Sequence, residues 1–199
     1  MDQDRKVRVR FAPSPTGGLH LGGVRTALFN YLFARHHGGT FVLRIEDTDQ
    51  TRFVQGAEAY IQDCLKWCGI EPDESPLHSG TYGPYRQSER KENYRNYAEQ
   101  LVADGYAYYA FDTAEELAAQ RKLQPNFKYS QENRSQLRNS LSLPAAEVQR
   151  LITEGYPYVI RIKMPVGETI SFEDRIRGIV SFDSSLVDDK VLLKADGMP

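Results

Sequence analysis

The hydrophobic pattern of the N-terminal part predicts a strand, a helix and a second strand, in that order. Residues 7–11 alternate between apolar and basic side chains, as a half-buried strand does. Residues 24–36 then carry an apolar stripe at helical spacing, formed by Leu28, Phe29, Leu32 and Phe33. Gly38 and Gly39 end this helix, and residues 41–45 are mostly apolar and rich in strand-forming residues. Because the connections are short, the pattern predicts a βαβ unit with parallel strands and a right-handed crossover.

Further helices are predicted at residues 57–68 and 88–104. Beyond them the pattern changes. Thr113 and Glu116 have the spacing of a capping box and predict a helix that reaches about residue 123. Another short helix is predicted between Pro144 and Gly155. Short alternating runs then predict four strands, at residues 159–163, 169–172, 179–182 and 191–193.

The change in pattern predicts two parts of different character. Residues 1–105 are interpreted as the first half of an α/β nucleotide-binding domain, and the residues that follow as an α+β insertion. The sequence stops at Pro199, shortly after a strand and without a terminal element. We therefore expect residues 195–199 to begin a second half of the first domain that lies outside this sequence.

Composition and charge exclude several classes of protein but add no further feature to this interpretation. The 199 residues include 40% hydrophobic and 26% charged side chains, which excludes a disordered tail, a fibre and a disulfide scaffold. Lys and Arg number 25 against 27 Asp and Glu, so the net charge of −2 indicates neither presence nor absence of a nucleic-acid partner. Two cysteines, a charged N-terminus and the lack of an apolar run of membrane length predict a reduced, cytoplasmic protein without a membrane partner.

The turn-rich stretch from Pro13 to Gly23 is the first candidate site. It connects the carboxyl end of a predicted parallel strand to the amino end of a helix, where open α/β sheets bind ligands. The free N–H groups of a helix start favour phosphate, and the glycines let a ligand approach the backbone closely. His20 can add a side-chain donor. The stretch has neither a Walker sequence nor a GxGxxG sequence, and a plain loop with a surface histidine is the alternative.

Three separate motifs give the chain a specific resemblance to the glutamyl-tRNA synthetases. The residues from Arg10 to Gly23 resemble the opening of that family, and His20-Leu21-Gly22-Gly23 falls on the HIGH motif of class I aminoacyl-tRNA synthetases. Residues 44–49 and 83–90 resemble two further family motifs, and the similarity continues to Lys194. The resemblance implies a Rossmann-like class I fold, with residues 106–194 as an insertion that binds the tRNA acceptor end.

The resemblance implies an ATP-dependent ligase that attaches L-glutamate to tRNA(Glu) through a glutamyl-adenylate, in protein synthesis. It implies that His20 is catalytic and stabilises the phosphates, and that Gly22 keeps a flat surface beneath adenine. Gly23 departs from the histidine of the motif. The implied contacts of ATP are Pro13, Ser14, Thr16, Gly17, His20, Gly22 and Gly23.

Glutamate carries two carboxylates and one ammonium, so its site needs a cation and an anion at a fixed separation. By resemblance, Arg10 binds the side-chain carboxylate and Glu46 receives the ammonium, with Ala12 and Ser14 lining the same pocket. A bidentate arginine suits a carboxylate. On the pattern alone, an arginine in a strand of alternating basic residues such as Arg10 is more often part of a solvated face.

The remaining implications concern cofactors, partners and alternatives. ATP enters as a substrate with Mg²⁺, the protein is expected to be a monomer, and no zinc is predicted because no cysteine follows residue 104. Cys64 and Cys68 are expected to pack in the core. This sequence lacks the KMSKS-like motif and an anticodon-binding domain, so by itself it is expected to be inactive. The alternatives are a paralogue that glutamylates a modified base of tRNA(Asp), and a non-catalytic fragment that binds nucleotide or RNA.

Overall fold

The computed structural model describes residues 6–49, 51–174 and 177–199. It has five α-helices there: α1 (Leu21–His36), α2 (Ala57–Trp67), α3 (Lys91–Ala103), α4 (Ala114–Leu123) and α5 (Ala145–Thr153). The strands in the same residues are β1 (Arg8–Phe11), β2 (Thr40–Leu43), β3 (Ala107–Ala110), β4 (Val159–Ile162), β5 (Thr169–Asp174), β6 (Gly178–Asp183) and β7 (Val191–Leu193). No helix among these residues has the length and the apolar character needed to cross a bilayer.

The predicted βαβ unit is confirmed. β1 and β2 pair in parallel, with Arg8 opposite Thr40 and Phe11 opposite Leu43. Two connecting segments extend the sheet beyond β2, because Val42 bridges Glu74 and Ile45 bridges Arg86 in parallel. The core beneath the sheet combines Phe11, Phe41 and Leu43 with Ile61 and Leu65 of α2. The carboxyl ends of β1 and β2 therefore lie side by side.

Helix α1 is present as predicted, but it does not pack on the sheet with the apolar stripe that predicted it. Leu28, Phe29, Leu32 and Phe33 are 40% to 71% exposed in the described structure, so the stripe that predicted the helix is not its buried face. The residues that pack are Val24, Ala27, Tyr31 and Ala34, of which both alanines are fully buried. Their spacing is also helical, and alanine lets the helix axis come close to the sheet. The helix is apolar on both sides, so periodicity alone did not distinguish the buried side.

The chain divides into two compact units, one ending at Lys91 and the other running from Glu92 to Pro199. α3 belongs to the second unit, where Ala98 packs on Ala107, Ile160 and Leu193. This division lies before the residue 105 predicted from the sequence. The assignment of residues 106–194 to an acceptor-binding insertion stays a prediction.

In the second unit, β3, β4 and β7 form an antiparallel sheet in the order β3-β4-β7, and β5 and β6 form a separate hairpin. The capping box of Thr113 and Glu116 is present at the start of α4, as predicted. Of the aromatic residues between 106 and 111, Tyr108 lies in β3 and Phe111 directly follows this strand, and each is 1% exposed. These two rings are therefore part of the core and cannot stack on RNA bases in this conformation.

A buried ionic group links the strands of the second unit. Asp189 is fully buried and accepts hydrogen bonds from the Tyr108 hydroxyl (2.7 Å), the Met164 backbone N–H (3.0 Å) and Nη1 of Arg134 (3.1 Å). Burial, followed by the hydrogen bond to Asp189, raises the pKa of Tyr108, so the phenol stays a donor at neutral pH.

We expect Asp189→Asn to lower the free energy of unfolding by about 3–5 kcal/mol, because it leaves the buried Arg134 without its anion. Asp188→Asn is the matched control. In the described residues, Asp188 forms its ion pairs with Lys128 and Lys190, whose side chains are 62% and 70% exposed, so its replacement should cost less than about 1 kcal/mol. Urea denaturation measures both variants, and equal losses would contradict this explanation.

Glu74 anchors the segment beside β2 in the first unit. Its carboxylate accepts two hydrogen bonds from Arg8, at 2.5 Å and 2.8 Å, and one from the Tyr85 hydroxyl. The hydrogen bonds from Arg8 are the main reason why the pKa of Glu74 lies below its usual value.

Because its pKa is depressed in the folded state, Glu74 stabilises the fold above the pKa of an unfolded glutamate, about 4.3. This contribution is lost as the pH falls through the lower, folded-state pKa. We expect the difference in unfolding free energy between the wild type and Glu74→Gln to be largest near pH 7 and to shrink below about pH 4. Denaturation at several pH values measures it, with the exposed Glu71→Gln as control. A difference that does not change with pH would contradict the assignment.

Candidate active site

The ends of β1 and β2 are joined by backbone hydrogen bonds that continue past the strands. The N–H of Arg44 donates to the carbonyl of Phe11 (3.0 Å), and the N–H of Glu46 donates to the carbonyl of Pro13 (2.9 Å). These bonds keep the segments after the two strands in register. Side chains from both segments therefore project from one edge of the sheet, where parallel α/β folds bind ligands.

Arg10 and Glu46, the predicted cation and anion, come together at this edge. Nη1 of Arg10 lies 3.4 Å from Oε1 of Glu46, and Nη2 of Arg44 donates to the same oxygen at 2.9 Å. Of the other two predicted pocket residues, Ala12 is half-buried and Ser14 is exposed. The sequence predicted that Arg10 and Glu46 share a crevice, but not that they contact each other.

His20 is the N-cap of α1, and its ring orientation follows from that position. Its Nδ1 accepts a hydrogen bond from the N–H of Gly22 at 3.1 Å. A neutral imidazole has one acceptor nitrogen and one donor nitrogen, so Nε2 carries the proton. The side chain is exposed, and this N–H is the donor that it can offer to a ligand.

Position 22 requires glycine for a local structural reason, in addition to the role beneath adenine that the resemblance implies. A Cβ at this position would lie 2.9 Å from Cε1 and 3.0 Å from Nδ1 of His20. Any side chain would therefore displace the imidazole from the helix start. Gly17 has a φ of +149°, a region that residues with a side chain rarely adopt, so it allows the turn that precedes the cap.

A cavity of about 340 Å³ lies against the start of α1. This volume is within the range of small-molecule sites, which begin at about 300 Å³. Its lining includes six of the residues predicted to contact ATP, namely Pro13, Ser14, Thr16, Gly17, His20 and Gly23. Gly22, Arg10, Ala12 and Glu46 are outside this lining. Pro13 lines the cavity and its carbonyl accepts the hydrogen bond from the N–H of Glu46, so the loop after β1 connects the cavity to the Arg10–Glu46 pair.

Sequence reasoning missed two contacts that build the site. Arg44 was not singled out, although residues two apart in an extended segment point to the same side, which could have predicted its contact with Glu46. Asp47 accepts hydrogen bonds from the backbone N–H of Ser88 (2.8 Å) and from its hydroxyl (2.5 Å), and so joins two motifs that are far apart in the sequence. That contact has no local signal in the sequence.

Among residues 6–49, 51–174 and 177–199, no group of three or more His, Cys, Asp or Glu residues is arranged to hold a metal ion. The absence of zinc stays a prediction. Cys64 is half-buried and Cys68 is exposed, so the expectation of core packing was wrong for Cys68.

Comparison with known proteins identifies the family. The catalytic domain of class I tRNA synthetases (E and Q) matches residues 6–199. A protein of Porphyromonas gingivalis named glutamate–tRNA ligase is 59% identical over 197 residues, covering 98% of this chain and 39% of that protein. A protein of the same name from Flavobacterium johnsoniae is 58% identical over 199 residues, covering 98% of this chain and 40% of that protein.

The solved structures agree with the sequence comparisons. The crystal structure of a glutamate tRNA ligase from Elizabethkingia meningosepticum, in complex with its amino acid, matches with a TM-score of 0.94 and 58% identity. The match covers 40% of that chain and 98% of this one. The chain therefore spans about two fifths of the length of the relatives that it matches. Its α/β fold, its motifs and its matched residues show that the chain belongs to the catalytic-domain family of the class I tRNA synthetases for glutamate and glutamine.

Proposed function

We propose that the protein carrying this chain attaches L-glutamate to tRNA(Glu), using ATP with Mg²⁺ as the second substrate. The observation that carries the proposal is the meeting of Arg10 and Glu46 at the ends of two adjacent parallel strands, 3.4 Å apart at Nη1 and Oε1. An amino acid with an anionic side chain needs both a guanidinium for that side chain and a carboxylate for its ammonium.

In this proposal an oxygen of the α-carboxylate of glutamate attacks the α-phosphorus of ATP, and pyrophosphate leaves. The terminal hydroxyl of the tRNA then attacks the acyl carbon, and AMP leaves. The protein contributes mainly alignment and neutralisation of charge. Pro13, Ser14, Thr16, Gly17, Gly22 and Gly23 surround ATP, and His20 donates from Nε2 to the phosphates. The cavity beside the His20 cap, which opens at a helix start, supports this arrangement.

Glutamate is held by Arg10 at its side-chain carboxylate and by Glu46 at its ammonium, with Ala12 and Ser14 beside it. Residues 106–194 hold the acceptor end of the tRNA, and the protein acts as a cytoplasmic monomer. The names of the relatives from Porphyromonas and Flavobacterium support glutamate rather than glutamine as the amino acid.

The test is transfer of radiolabelled glutamate to tRNA by the full product of the gene. We expect labelled tRNA only when ATP is present, and no transfer to a tRNA that lacks its 3′-terminal adenosine. Transfer of glutamine in preference to glutamate would overturn the choice of amino acid. Labelling that persists without the terminal adenosine would favour modification of an internal base instead.

A further inference from the structure

The carboxylate of Glu46 is contacted by two arginines, and their contacts are not equivalent. Arg44 donates from Nη2 to Oε1 at 2.9 Å, the usual distance of a charge-assisted hydrogen bond. Arg10 approaches the same oxygen at 3.4 Å, and its side chain is 45% exposed against 25% for Arg44. Arg44 therefore binds Glu46 more closely than Arg10 does.

The position of Arg44 is set by the sheet. Its backbone N–H donates to the carbonyl of Phe11, and Ile45, which separates it from Glu46, is fully buried. Arg44 and Glu46 therefore project to the same side of an extended segment. Within the part of the chain that the structure describes, the bond to Glu46 is the one side-chain hydrogen bond of Arg44, and its buried Nε has no partner. Leaving a buried donor unpaired costs stability, so the arginine is not optimised for the fold alone.

The charges of the three side chains match glutamate. Two guanidinium groups against one carboxylate leave a net charge of +1. Glutamate has two carboxylates and one ammonium, which gives −1, whereas glutamine is neutral overall. Without Arg44, Arg10 and Glu46 would neutralise each other and would present no net charge to the ligand. Electrostatic complementarity of this kind contributes mainly to specificity.

We propose that Arg44 is a positioning residue that determines specificity for the amino acid. It holds Oε1 of Glu46, so that Oε2 receives the ammonium and Arg10 is released from Glu46 to bind the side-chain carboxylate. This inference rests on the proposed function, because it requires glutamate to be the ligand of this site.

The experiment measures dissociation constants of L-glutamate and L-glutamine by calorimetry on the full product of the gene. Arg44→Gln should raise the dissociation constant of glutamate about tenfold and that of glutamine less than about threefold. The effect is of this size because these partly exposed charges are screened by solvent. Arg44→Lys keeps the charge and should stay within about threefold of the wild type for both ligands. Arg95→Gln removes an exposed arginine of α3 that pairs with Glu99, and should change neither constant.

The outcomes separate this inference from the proposed function. A folded wild type that binds neither amino acid overturns both. Equal loss of glutamate and glutamine in Arg44→Gln, or no loss, overturns only the role of Arg44. If Arg44→Gln does not fold, a crystal structure of the wild type with glutamate decides. We expect Arg44 to stay at hydrogen-bond distance from Glu46 while Arg10 moves beyond 4 Å, about the limit of an ion pair. The opposite movement overturns the inference.

Discussion

Replacing His20 by alanine is expected to lower kcat about 100- to 1000-fold in the full product of the gene, while the KM for ATP changes far less. The reason is that the Nε2–H of His20 would donate to phosphate oxygens whose charge increases in the transition state, and a donor of this type contributes about 3 kcal/mol. The measurement is steady-state aminoacylation at varied ATP concentration. An unchanged kcat with a raised KM would mean that His20 binds ATP equally in the ground state and the transition state.

A control is needed because His20 also caps α1 through Nδ1. His20→Asn keeps an effective N-cap through its Oδ1, but its shorter side chain does not place a donor where Nε2 lies. His20→Ala removes both the cap and the donor. We expect the two variants to lose similar amounts of kcat. His20→Ala alone should also lower the free energy of unfolding, by about 1 kcal/mol. If His20→Asn retained the kcat of the wild type, the loss in His20→Ala would come from the cap and not from catalysis.

The fold of the first unit could be predicted from the sequence where local patterns have one interpretation. The alternating residues of β1, the two glycines after α1 and the apolar run of β2 define the βαβ unit, which the structure confirms. The start of α1 was placed at residue 24 and lies at Leu21. Histidine is not among the preferred N-cap residues, so His20 gave no helix-start signal. The buried face of α1 depends on tertiary packing against the sheet, which periodicity cannot specify.

For the candidate site, the sequence was sufficient to predict which residues share one edge of the sheet. Strand order brings Arg10 and Glu46 together, because parallel strands end at the same edge. The contact of Glu46 with two arginines depends on side-chain reach, and the contact of Asp47 with Ser88 depends on how distant segments pack. Neither contact follows from the local sequence pattern alone. They also change the chemistry, since Glu46 is paired even without a ligand.

Arg10 and Glu46 are expected to determine amino-acid recognition from opposite ends of the substrate. In Arg10→Ala, the side-chain carboxylate of glutamate loses the guanidinium that pairs with it directly. Bound glutamate would itself cover this pair, so the loss is expected to be about 2–5 kcal/mol, as in comparable complexes. This loss corresponds to about 30- to 4000-fold in kcat/KM. Glutamine has no charge at that end and should lose little. Arg44 remains bound to Oε1 of Glu46 in this variant, so the site for the ammonium is kept.

Glu46→Ala should behave differently, because the ammonium is common to both amino acids. It should weaken the binding of glutamate and of glutamine by similar factors. The preference for glutamate should persist because Arg10 and Arg44 both remain. The measurement is kcat/KM for glutamate, together with the inhibition constant of glutamine as a competitor, in each variant of the full product of the gene. Arg95→Gln, which removes an exposed arginine of α3 that pairs with Glu99, controls for the loss of one positive charge. If Arg10→Ala lost the same factor for both amino acids, Arg10 would not be the contact that distinguishes them. The side-chain carboxylate would then be bound by a different cation.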